Sequence, residues 1–131
     1  MADDAKRLLR YIVQNLVLPV EAKEAQLDAS AAQDVPGEID ALTASNMEEA
    51  ERLAPYFARG IALARQSGGR ITVDDTDDEG NGIADAFARF LVVPNLATSQ
   101  SEELSEGHYR YTFDVDWQRL SELARKAGMN L

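Results

Sequence analysis

With 131 residues, a net charge of −10 and no cysteine, the chain is bounded before any pattern is read. Its length fits one domain of about 100–150 residues, and its 45% apolar content supplies a core, which excludes an acidic disordered tail. The missing thiols exclude disulfides, thiolate metal sites and thiol nucleophiles.

Charge is segregated along the chain. Glu24–Glu51 carries eight acids and Ile71–Ala88 six, with no Lys or Arg in either stretch, so the remainder is net basic. An acidic field repels nucleic-acid backbone and anionic membranes, so a protein partner with a basic surface is expected rather than DNA, RNA or lipid. The longest apolar run, Ile12–Val20, is broken by Gln14, Asn15 and Pro19 and falls far short of the ~20 residues of a membrane span. The opening Met1-Ala2-Asp3-Asp4 lacks the basic region of a secretory signal, and a cytoplasmic location is expected.

Residues 4–18 read as an amphipathic helix, with Leu8, Leu9, Ile12, Val13, Leu16 and Val17 on one face and Pro19 as its stop. In residues 20–45, Ala25, Leu27, Ala29, Ile39 and Ala41 alternate with polar residues around Pro36-Gly37. That pattern fits a weak hairpin, or a loose acidic loop. Residues 46–67 form the clearest helix. Ser45 and Glu48 make a capping box, Met47, Ala50, Leu53, Ala54, Phe57, Ile61 and Ala64 make the buried stripe, and Glu48 pairs with Arg52. Pro55 should kink this helix and Gly68-Gly69 should end it.

Ile71-Thr72-Val73 reads as a strand. Ile83–Leu91 admits a helix, with Asp85 paired to Arg89, or a strand around an Asn81-Gly82 turn; its alanines favour the helix. Residues 95–107 read as a polar loop. Tyr109, Tyr111, Phe113 and Val115 alternate with polar residues as a strand with one buried face. Asp116 then caps a last helix whose core face is Trp117, Leu120, Leu123, Ala124 and Ala127. The whole predicts a single α+β domain over 1–131, with a small sheet of three to four strands packed against three to four helices.

The densest chemistry lies in Asp74–Asp85. Calcium takes six to eight oxygens from loops that supply them at alternating positions around a glycine. Asp77, Glu79, Asn81 and Asp85, with Gly82 between them, offer one such register. The run Gly80–Phe87 resembles the short calcium-binding repeats of thrombospondin type 3, which implies calcium held by those four residues. Glu79 stands where those repeats usually have Asp. In the EF-hand register Ala88 occupies the position of the bidentate glutamate, so the implied site is weak, about millimolar. The alternative is a solvated acidic turn that caps the following helix.

Asp78-Glu79-Gly80-Asn81-Gly82-Ile83 also resembles the Asp-x-Gly-x-Gly-Ile box of the histidine-kinase and Hsp90-type ATPase fold. That resemblance implies adenine recognition by Asp78. The metal-binding asparagine expected mid-helix upstream is missing, and so is the second glycine-rich box. His108 is the sole histidine, which rules out a His-cluster zinc site and leaves an imidazole at the surface. Asp114 and Asp116, two apart on one strand, are the remaining pair with acid–base spacing. The apolar exits Leu16–Val20 and Val92–Leu96 serve equally as core edges or as docking segments. No catalytic set is specified, and no cofactor is expected beyond weak calcium. A non-enzymatic acidic interaction protein is the leading expectation. A calcium-responsive domain, and a small carboxylate enzyme or degenerate nucleotide-binding domain, are the alternatives.

Overall fold

The computed structural model describes residues 2–19 and 35–129. Helix α1 (Ala2–Ile12) widens into a π-helical turn over Val13–Val17. Its apolar stripe is buried as the periodicity predicts, with Leu8, Leu9, Ile12 and Val13 almost fully withdrawn from solvent. This face packs on α2 (Val35–Gln66), the long central helix.

Helix α2 starts well before the capping box read from Ser45 and Glu48, which both lie in its interior. Pro36 and Gly37, read as a hairpin turn, sit in its first turn; residues 20–34 of that reading lie outside the described residues. The physical reason is that a first-turn proline lacks only an N–H that a helix leaves unpaired anyway. Once nucleated, each further residue adds a hydrogen bond, so a helix runs on through Ser45 without a cap. Arg52 correspondingly pairs with Glu49 and Asp85 rather than with Glu48. Pro55 is exposed inside this helix. The end is as expected: Gly68 and Gly69 adopt positive φ, and the Gly69 amide donates back to Ala64 O at 2.8 Å.

Strand β1 (Arg70–Asp74) leads to helix α3 (Asp78–Phe87), which continues as a π-helical turn over Ala88–Val92. The helical reading of Ile83–Leu91 holds, with Arg89 Nε 3.0 Å from Asp85 Oδ1. Ile83, Phe87, Phe90 and Leu91 are all buried. Asn95, with φ 62°, then turns the chain into β2 (Ala97–Ser105).

Strand β2 occupies most of the segment read as a polar loop. Its side chains are exposed from Thr98 to Ser105, so no burial alternation marks it. What makes it a strand is pairing with β3 (His108–Val115) through a turn at Glu106-Gly107, where Gly107 takes φ 79°. Asp116 caps α4 (Trp117–Lys126), accepting the Arg119 amide at 3.2 Å.

The sheet is antiparallel in the order β1-β3-β2. Among the described residues, three strands and four helices fulfil the α+β expectation. Ile71, Val73, Phe113 and Val115 point into the core beneath α2 and α3. On the opposite face, Arg70, Thr72 and Asp74 of β1 stand across from Asp114, Thr112 and Arg110 of β3. Among the described residues no helix is long and apolar enough to cross a membrane.

Candidate functional site

The acidic segment wraps the junction between β1 and α3. Asp77 has extended backbone angles and its carboxylate accepts the Gly80 amide at 2.7 Å, so it is the N-cap of α3. Asp78 and Glu79 follow in the first turn, where the positive end of the helix dipole favours them. Beside this turn lies an open cleft of about 460 Å³, bounded by Thr72, Asp74, Thr76, Asp77, Glu79 and Arg110.

Every carboxylate here except the exposed Asp78 already has a partner. Asp74 receives Arg110 Nε at 2.8 Å and Nη2 at 3.2 Å. Asp75 accepts the Tyr109 amide at 2.9 Å and lies 3.5 Å from His108 Nδ1. Glu79 pairs with Arg59 at 3.1 Å, and Asp85 is shared by Arg52 and Arg89. None of these bases falls inside the acid-only run, so sequence reading missed Arg59 and Arg110. The strand register that brings Arg110 opposite Asp74 is the signal that locates it.

The four residues of the calcium register fall on the cap and body of α3 rather than around a loop. Asp77 is the cap, and Glu79, Asn81 and Asp85 sit two, four and eight residues on. In a helix those steps place Glu79 about 200° around the axis from the cap, toward Arg59. Among the described residues, no three His, Asp or Glu side chains gather into a group able to hold a metal ion.

Gly80 and Gly82, shared by both motif resemblances, are packed inside the fold. A Cβ on Gly80 would lie 1.8 Å from Asp74 O, and one on Gly82 would lie 2.4 Å from the Tyr56 ring. These glycines let α3 approach β1 and α2 closely. Asp114 and Asp116 do not form an acid–base pair: Asp114 takes Arg70 at 2.7 and 3.2 Å, and Asp116 caps α4. His108 is exposed, as expected.

The two forked pairs have a pH consequence. Asp74 and Asp114 are held below the usual carboxylate range, first by the guanidinium hydrogen bond, with desolvation opposing and charge attraction adding. A depressed folded-state pKa contributes stability that is complete above the unfolded value of about 3.9 and is lost as pH falls through the folded value. The melting temperature should therefore fall as pH drops below about 4, and Asp114→Asn should show a shallower fall. Thermal melts of both proteins between neutral and strongly acid pH check this; parallel profiles would refute it.

A second concavity, of about 730 Å³, lies between α1, α2 and Met129, with Asp4, Arg65 and Gln66 on its rim. Its deep walls, Leu8 and Phe57, belong to the closed core. No protein-family model, curated protein or solved structure matches the chain, so its own geometry is what bears on its role.

Proposed function

We propose that the chain is a non-enzymatic acidic interaction domain that binds a protein partner through a basic surface on that partner. The observation that carries this reading is where free negative charge remains. The carboxylates around the cleft are committed to arginines, backbone amides or the helix cap. On the β2–β3 hairpin, Glu102, Glu103 and Glu106 are exposed, and no described base lies within ion-pair distance of them. Long-range attraction steers such a surface toward a basic one and should be strongly salt-dependent.

The test is association with a polylysine chain at about 0.01 M salt, where the Debye length is about 30 Å, and again at 1 M, where it is about 3 Å. Association is expected at low salt only, with the triple change Glu102→Lys, Glu103→Lys and Glu106→Lys slowing it at least several-fold. No association at low salt, or association indifferent to salt, would sink the reading. Millimolar calcium should leave the melting temperature where chelator leaves it, because an ion there must compete with the partners that Asp77, Glu79 and Asp85 already hold. A calcium-dependent rise would instead favour the cation-responsive alternative.

A further inference from the structure

The hydrogen-bonding phase of β2 can be read from its neighbours. The Asp116 amide donates to Leu96 O at 2.8 Å. Leu96 and Asp116 are thus a hydrogen-bonded pair, and the two-residue period extends this to Thr98 with Asp114, Gln100 with Thr112, and Glu102 with Arg110. The other side of β3 agrees, since Val115 N donates to Gly69 O of the β1 ladder and Tyr109 O accepts from Asp75 N.

It follows that Ala97, Ser99, Ser101 and Glu103 turn their amides and carbonyls away from β3. In the order β1-β3-β2 that side carries no strand among the described residues. From Ala97 to Ser101 the edge has no proline and no charged residue, two of the devices by which proteins usually blunt an edge. Its register breaks only at Leu104, where an extra residue sits between Glu103 and Ser105. The free edge is therefore regular from Ala97 to Glu103.

We propose that this edge accepts an extended basic peptide segment of a partner protein as a fourth, antiparallel strand. The proposal rests on the acidic-interaction reading and names the place and the shape of the partner. Main-chain bonds to Ser99, Ser101 and Glu103 give affinity, and side chains on alternating faces give selectivity. Glu103 lies beside Tyr109 on one face and Glu102 beside Arg110 on the other, so the fitting segment opens with two consecutive bases. After the bases, residues opposite Ser101 and Ser99 fall on the face shared by Tyr111 and Phe113, where β-branched side chains would pack beside the two exposed serines.

The probe is the capped hexapeptide Lys-Arg-Val-Thr-Val-Thr, whose valines fall opposite Ser101 and Ser99. In amide NMR titration of the full chain at low salt, the largest shifts are expected at Ala97, Ser99, Ser101 and Glu103. N-methylation of the two valines should weaken binding at least tenfold, because those amides face β2. N-methylation of the threonines, whose amides face away, should leave it within about twofold. Glu-Glu in place of Lys-Arg should abolish binding. Ser101→Pro should weaken it about tenfold while keeping β3 pairing, since the lost N–H points outward. Binding indifferent to valine methylation, or with shifts centred on the helices, overturns the edge site and leaves the acidic reading standing. Polylysine association without peptide binding does the same. Failure of both ligands overturns the two together.

Discussion

Gly80→Ala is expected to destabilise the protein by about 3 kcal/mol or more, against the gain of about 1 kcal/mol that helix propensity alone assigns to that change. The reason is geometric. The new methyl would lie 1.8 Å from Asp74 O and 3.1 Å from Asp77 Oδ1. The first of these is backbone at the end of β1, so no side-chain rotation relieves it. That strand end is pinned from two directions, by the forked Arg110–Asp74 pair and by the Asp75 amide bonded to Tyr109 O at 3.0 Å. Helix α3 must then shift as a body, and its buried residues Ile83, Phe87 and Phe90 would shift with it. The control is the next residue. Asn81 is exposed, so Asn81→Ala should change stability by no more than about 0.5 kcal/mol. Urea unfolding of the two variants decides the matter, and a Gly80→Ala protein as stable as the parent would show the close approach to be absent.

That expectation also marks where sequence reading reached its limit. Burial was legible along most hidden faces: the stripes of α1 and α2, Phe113 and Val115, and the cap at Asp116 follow from period and spacing. Tyr109, read on the buried face of β3, is instead exposed and Tyr111 is half-buried, because the far end of the strand runs out beyond the helices. β2 was not legible, because Thr98–Ser105 is exposed on both faces and its cause is hydrogen bonding to β3. Gly80-Asn81-Gly82 was misleading in a related way. A glycine demanded by a neighbouring helix or strand and a glycine demanded by a loop turn leave the same letter, and only the approaching Asp74 carbonyl and Tyr56 ring separate them. The acids of the candidate site were visible as a cluster. Their partners Arg52, Arg59 and Arg110 come from α2 and β3, 20 to 36 residues away, and local spacing carries no trace of them.

Phe87→Ala is expected to cost about 4 kcal/mol, because the ring joins both layers of the core. It is fully buried, 6.0 Å from the Phe57 ring of α2 and 5.4 Å from the Phe113 ring of β3, centroid to centroid. Edge-on and tilted aromatic pairs add to the loss of buried area. The same ring explains Gly60. A Cβ there would lie 2.5 Å from Phe87 Cε1 and 2.8 Å from Cζ, so Gly60→Ala should destabilise by about 1–3 kcal/mol despite its helical position. Leucine at position 87 lacks both of those ring atoms. Gly60→Ala combined with Phe87→Leu should therefore be at least about 1 kcal/mol more stable than the sum of the two single changes predicts. Urea denaturation of the single and double variants measures that coupling. An additive result would mean that Gly60 is not what lets α2 and α3 close around Phe87.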